Sequence, residues 1–403
     1  MNKLNAYATY LVMQGADGMI SSVIFTVNMI YQATIVGLDP LQLVLVGTTL
    51  ELTAFLFEVP TGVVADVYSR RLSVIIGYVL IGVGFLVEGL FPFFATVLIA
   101  QVIWGIGWTF TSGATEAWLA DEIGEANAGR AYLRAAQVSQ IATLVGIIAS
   151  VILGNDRVNI PIIIGGAGFI AIGIFLALAM PETGFKPTPV ENRESFRALW
   201  QTFRGGLRMV RARPALMTIL GIGLCYGLYS EGFDRLWTPF ILSFEIPVFD
   251  GLTPVAWFGI LRVSAILLGI AGVEIARRRV NMDDEASVRR AMFLLSALMV
   301  ASLFAFSAAF HFSMAVAAYW IFSAMRQTKN PLYTAWVNQK LDPKVRATVV
   351  SMSSQVDAFG QIAGGPPVGL IGSLVSLRAA LATSALILTP VLALFARASR
   401  KAN

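Results

Sequence analysis

Glu58-Val-Pro-Thr-Gly62-Val-Val-Ala65-Asp66-Val-Tyr-Ser-Arg70-Arg71-Leu-Ser-Val74 joins two long apolar runs, 41–64 and 72–92. Its polar centre is only a few residues long and carries one acid and two bases. Gly62 has no side chain to hold a neighbouring helix away. Asp66 has the charge that a helix N-terminus attracts. Arg70 and Arg71 stand at the mouth of the second run, where basic residues mark the cytoplasmic end of a span. This pattern predicts a helical hairpin in a bilayer with its turn in the cytoplasm.

The rest of the chain repeats the theme. Of 403 residues, 57% are hydrophobic and 13% charged, against about 25% charged in soluble proteins. That balance excludes an ordinary soluble enzyme and a disordered chain. A spanning helix takes about 20 apolar residues, and further spans are expected near 7–34, 95–119, 131–154, 159–180, 214–243, 254–276, 289–310, 313–338, 347–374 and 378–397. The total is twelve. The first run is longer than a signal-peptide core and holds Asp17, so it reads as a span. A single cysteine, Cys225, and a single histidine, His311, leave no disulfide and no thiol or histidine metal site.

Charge sets the orientation. Of the 29 Lys and Arg, 23 fall in the termini and alternate loops, two (Arg157 and Arg378) in the opposite loops, and four inside spans. Both termini are therefore expected in the cytoplasm, with the chain a multi-pass monomer of the cytoplasmic (inner) membrane. The net charge of +5 reflects this asymmetry, and no nucleic-acid partner is expected. The lipid bilayer is the chain's solvent.

Pro181 to Arg213 is the longest polar segment and divides the spans six and six. The expected organisation is a six-helix bundle over 1–180, a cytoplasmic linker over 181–213 and a second bundle over 214–403. Within the linker, Glu191 to Val210 has the basic amphipathic pattern of a helix lying on the membrane surface. At an offset of 218, Ala117-Trp118-Leu119 matches Ala335-Trp336-Val337, Gln137-Val138 matches Gln355-Val356, and Gly146 matches Gly364. Such matches point to parallel repeats of one six-span unit. Gly82, Gly84, Gly105, Gly107, Gly146, Gly360 and Gly364 are expected at close helix contacts.

Eleven ionisable residues fall well inside the expected spans: Asp17, Glu51, Glu58, Glu116, Glu231, Asp234, Arg235, Arg262, Arg326, Lys329 and Asp357. At about 2.5–3.5 kcal/mol each, exposing them all to lipid would cost roughly 30 kcal/mol. They must face protein or a watery cavity. The first half has four of the carboxylates and no span cation, whereas the second has all four cations beside three carboxylates. A carboxylate in a low-dielectric cavity with no fixed cation beside it takes and releases a proton during a cycle. Asp17, Glu51, Glu58, Glu116 and Asp357 are the proton-coupling candidates, led by Asp17 and Glu51. Trp104 and Trp108, one turn apart, are candidate substrate contacts through stacking or cation–π attraction, with Thr111 and Thr115 extending their face. Glu231, Asp234, Arg235, Arg262, Arg326 and Lys329 are the charged substrate-binding candidates. Glu231 and Arg235 are also spaced to pair with each other.

The segment from Gly62 to Arg71 resembles the loop 2–3 signature of the major facilitator superfamily, with Gly62, Ala65, Asp66, Arg70 and Arg71 at matching positions. Val67 and Ser69 depart from it. Glu58 to Gly62 and Ser112 to Glu122 resemble a prokaryotic drug-efflux-like branch. Gln101 replaces the basic residue that the family carries ahead of a glycine pair in its fourth span, and the antiporter glycine-proline motif is weak in the fifth. The resemblance implies twelve helices in two pseudosymmetric six-helix bundles, an all-α membrane fold. It implies a gate in which Asp66 meets the start of span eleven near Ala347, and Arg70 and Arg71 meet Asp121 or Glu122. It also implies a secondary transporter working by alternating access, here expected to export a small amphipathic or cationic compound against protons. No cofactor is expected beyond the proton gradient. An anionic metabolite held by Arg262, Arg326 and Lys329 is the alternative substrate, and a non-transporting receptor the alternative role. With no Ser/His/Asp or metal set and no phosphate-binding loop, enzymatic activity is not expected.

Overall fold

The computed structural model describes residues 5–187, 214–247, 253–339 and 346–400. The segment Glu191 to Val210, Lys340 and Lys344 lie outside them, as does the side chain of Ala347. In chain order the helices are α1 (Ala6–Phe25), α2 (Asn28–Thr34), α3 (Pro40–Val67), α4 (Arg70–Leu90), α5 (Phe94–Thr111), α6 (Ala114–Ile123), α7 (Glu125–Gly154) and α8 (Ile160–Ala179). Then come α9 (Pro214–Leu242), α10 (Pro254–Arg279), α11 (Glu285–Ser307), α12 (Phe312–Gln339), α13 (Arg346–Leu374), α14 (Leu377–Leu388) and α15 (Pro390–Arg400).

The pairs α1–α2, α5–α6 and α14–α15 each make one broken span, so these helices supply the twelve expected segments. Among the described residues, ten segments are long and apolar enough to cross a membrane. The other two, α12 and α13, have 28 and 29 residues and are diluted by Arg326, Lys329, Asp357 and their polar neighbours.

Three expected spans are interrupted, the twelfth at Thr389 ahead of Pro390. The first breaks at Thr26–Val27, where the Thr26 hydroxyl donates to the Ser22 carbonyl at 2.7 Å, a side-chain bond that competes with the helix ladder. The fourth turns at Gly113, whose φ of +72° is open to glycine and costly for other residues. That turn carries the span on to Ile123 rather than ending it near 119, and α7 starts at Glu125 rather than near 131. Helix starts are capped by side chains. Ser69 accepts from the Leu72 amide, Asp284 from Ala286 and Ser287, and Ser376 from Ala379.

The chain divides into two compact units, one of residues 1–38, 49–196 and 250–259, the other of residues 39–48, 197–249 and 260–403. The first packs α1 on α7 and α8, and α4 on α5 and α8. The second packs α9 on α13 and α14, and α11 on α12 and α14. Counted by span, these are the same pairings in each unit: first with fifth and sixth, third with fourth and sixth. Gly146 and Gly364, matched at the offset of 218, do the same work in each. A Cβ on Gly146 would lie 2.2 Å from the Met19 carbonyl oxygen, and one on Gly364 2.1 Å from that of Leu228. Gly82 and Gly166 face each other across α4 and α8 in the same manner, at 2.5 and 2.9 Å from the opposing carbonyl. Small residues let backbones meet where lipid supplies no hydrophobic drive for helices to associate.

Candidate functional site

Within the first unit a cavity of about 360 Å³ opens between five spans. Helix α1 contributes Asp17, Ser21 and Phe25, and α3 contributes Leu50, Glu51 and Ala54. Ile81 and Phe85 come from α4, Trp104 and Trp108 from α5, and Phe169 from α8. Two carboxylates thus share a space with five aromatic rings. Among the described residues no Lys or Arg lines it.

The aromatic wall is continuous. Phe85 stacks on Trp104 at 5.4 Å and on Phe169 at 6.2 Å, and Phe25 meets both Phe85 and Trp104 at 5.6 and 6.0 Å. Offset and edge contacts at such distances add about 0.5–1.5 kcal/mol per pair beyond burial, so the wall is rigid. Asp17 is half-buried and hydrogen-bonds the Tyr78 hydroxyl, while the Tyr78 ring stacks on Phe169 at 6.0 Å. A ring bearing negative charge on its face, beside an ionised carboxylate, suits a cation with an apolar body.

Of the first-half candidates, the fold brings Asp17, Glu51, Trp104 and Trp108 to this cavity. Glu58 and Glu116 are exposed and lie outside it. Thr111 and Thr115 do not extend the Trp face: both are buried, and their hydroxyls donate to the Trp108 and Thr111 carbonyls of α5.

The sequence count of buried charges omits Glu88. It is wholly buried near the end of α4. Asn28 and Gln32 each donate a side-chain N–H to its Oε1 at 2.7 Å, and Gln101 donates to its Oε2 at 3.2 Å. The signal that would have found it is the set of amides at 28, 32 and 101 in otherwise apolar runs, each requiring a buried partner.

The second unit holds the remaining charged candidates. Arg326 binds both oxygens of Asp234, a bidentate arrangement. Arg235 Nε donates to Glu231 Oε1 at 2.8 Å, as the i, i+4 spacing predicts. Buried Lys329 places its Nζ 3.5 Å from the centre of the Tyr226 ring, and the Tyr226 hydroxyl is 3.0 Å from that of Ser296. Asp357 accepts from Gln361 at 2.9 Å. Half-buried Arg262 has no hydrogen bond or ion pair among the described residues.

The gating candidates Asp66 and Arg70 cluster with Asp121. Arg70 reaches Asp121 at 2.5 Å and Asp66 at 3.6 Å. Arg71 does not reach Glu122 and instead donates to the Ala177 carbonyl at 2.5 Å. Glu122 grips the start of the linker, accepting from the Thr183 amide and hydroxyl and from the Gly184 amide. Glu182 accepts from the Ser69 hydroxyl and the Arg71 amide at 2.7 and 2.8 Å, a second carboxylate cap on α4. Buried Trp118 donates to the Pro181 carbonyl at 2.7 Å. Gly62 meets nothing that a Cβ would disturb.

The sequence pattern of the Major Facilitator Superfamily matches residues 9–365. The chain belongs to the Major Facilitator Superfamily. It is a multi-pass membrane transporter and not an enzyme. This superfamily member is 22% identical over 346 residues to the MFS-type transporter YxaM of Bacillus subtilis (strain 168), covering 85% of this chain and 83% of that one. Its fold is similar to a crystal structure of the nucleoside transporter NupG, with a TM-score of 0.73, 16% identity and 98% of each chain covered. It is also similar to a bacterial homolog of the human lysosomal transporter Spinster in an inward-facing, occupied conformation, with a TM-score of 0.75, 13% identity, and 98% and 96% of the chains covered.

Proposed function

We propose that this transporter exports a small amphipathic cation in exchange for protons, by alternating access, across the cytoplasmic membrane with both termini in the cytoplasm. The observation that carries this reading is the cavity of the first unit, where Asp17 and Glu51 share a space with five aromatic rings. The rings bind the apolar body of the ligand and the carboxylates bind its charge. When the ligand leaves, the carboxylates are left in a low-dielectric space and take up protons in its place. One set of groups thereby serves the cation and the proton in turn, which is the requirement for exchange. Glu58, Glu116 and Asp357 are further proton-coupling candidates. The cluster of Asp66, Arg70 and Arg71 is assigned to gating.

Reconstitution tests this directly. Inverted proteoliposomes of the purified chain, acid inside, are expected to accumulate tetraphenylphosphonium and to release lumenal protons as they do so. No accumulation, or accumulation without proton movement, overturns the reading.

A second reading has its own observation. Arg262 is half-buried and makes no ion pair or hydrogen bond among the described residues, and Lys329 is buried with its Nζ against the Tyr226 ring. An organic anion that binds these two cations is the substrate in that case, and uptake of a carboxylate-bearing probe in the same vesicles separates the two readings.

A further inference from the structure

Glu88 does not line the cavity, yet its hydrogen bonds end there. It accepts side-chain N–H groups from Asn28, Gln32 and Gln101, and the Tyr31 hydroxyl holds its backbone carbonyl at 2.7 Å. The Gln101 amide is two-ended. Its nitrogen is spent on Glu88, so its Oε1 is left to accept the indole N–H of Trp104 at 2.8 Å. An ionised carboxylate only accepts, and an indole N–H only donates. Turning the Gln101 amide over would therefore set oxygen against oxygen at one end and N–H against N–H at the other. Both errors would occur in a buried place, where an unsatisfied polar group loses its hydration without a replacement partner.

We propose that Glu88 is a positioning residue for the cavity. It fixes the polarity of the Gln101 amide, and through it the tilt of the Trp104 indole against Phe85 and Phe25. The ligand never touches Glu88. The chain of contacts also gives Gln101 a role at the position where the family resemblance led one to expect a base. The effect on ligand binding rests on the cavity being the transport site; the hydrogen bond to Trp104 does not.

The chemistry supplies a discriminating pair of variants. Glu88→Gln keeps an acceptor for Asn28 and Gln32 but turns a new N–H₂ toward the Gln101 nitrogen, so Gln101 must turn over and Trp104 loses its acceptor. Adding Gln101→Glu restores the order, because a carboxylate at position 101 accepts from both sides. The full chain, labelled with ¹⁵N-indole tryptophan in lipid nanodiscs, gives one indole N–H resonance per Trp, and Trp104→Phe identifies the one in question. In Glu88→Gln that resonance is expected to move to higher field as its hydrogen bond is lost. In Glu88→Gln/Gln101→Glu it is expected to return toward its wild-type position. Tetraphenylphosphonium binding is expected to weaken several-fold in the first variant and recover in the second.

A resonance unmoved in Glu88→Gln, or equally displaced in the double variant, overturns the proposal. So does weakened binding with an unmoved indole. If Glu88→Gln does not fold, Gln101→Met leaves Glu88 in place and removes both the acceptor of Trp104 and the amide donor to Glu88; an unmoved indole there overturns it as well. Failure of the wild-type chain to bind tetraphenylphosphonium would sink the substrate reading, while the resonance comparison would still decide the positioning role.

Discussion

Arg326 on α12 closes on both carboxylate oxygens of Asp234 on α9, 92 residues away in the chain. The side chains are 30% and 40% exposed, so the pair stands between a surface bridge worth about 0–1 kcal/mol and a buried one whose breakage costs about 3–5 kcal/mol. Asp234→Asn is expected to destabilise the chain by roughly 2 kcal/mol, because it leaves the guanidinium without its counter-charge. Thermal unfolding in detergent measures this. The exchange Asp234→Arg/Arg326→Asp is expected to recover part of the loss, and no recovery would show that the pair is not the source of the stability.

Asp17 and Glu51 are distinguished from the other first-half carboxylates by lining the cavity. Asp17→Asn and Glu51→Gln are each expected to reduce proton-driven tetraphenylphosphonium accumulation by at least about tenfold, equivalent to ~1.4 kcal/mol. Glu58→Gln and Glu116→Gln, at exposed positions, are expected to have smaller effects. Equal losses at all four would argue against the cavity as the place where protons and ligand exchange.

Gly82 and Gly113 illustrate two different demands on glycine. A Cβ at position 82 would lie 2.5 Å from the Gly166 carbonyl oxygen, so Gly82→Ala must separate α4 from α8 and is expected to cost about 1–3 kcal/mol, as overpacking does. Position 113 has open space around it and a φ of +72°, so Gly113→Ala carries only backbone strain, about 1 kcal/mol. The difference in unfolding temperature between the two variants checks the order.

Glu122 holds the first residues of the linker through three hydrogen bonds. Glu122→Ala is expected to free Thr183 and Gly184 and to raise the rate of chymotryptic cleavage after Phe185 several-fold, since cleavage follows the open population. A rate equal to wild type would show that Trp118 and Pro181 suffice to hold the linker.

Much of this arrangement was legible in the residues themselves. Membrane-length apolar runs and basic loops located the segments, and Gly146 with Gly364 gave away a repeat whose packing recurs in both units. The Asp17, Glu51, Trp104 and Trp108 set was legible because carboxylates and indoles are conspicuous in apolar runs. Glu88 was not, because its burial depends on three amides from other helices, a long-range fact that local hydropathy does not carry. The break in α5–α6 was also missed: Gly113 in an apolar run looks like any packing glycine until its φ is seen. Arg71 missed its expected acid because Glu122 is engaged by the linker.

The matching helix seams of the two units have a practical consequence for protein engineering. Packing depends on glycines such as Gly82, Gly146 and Gly364, whereas the cavity is lined by side chains such as Asp17, Glu51 and Trp104, at other positions. Scaffold and selectivity are therefore separable design variables. Libraries that randomise the cavity-lining positions and leave the glycine seams alone are expected to yield mostly folded proteins, from which new specificities are selected without repairing the scaffold.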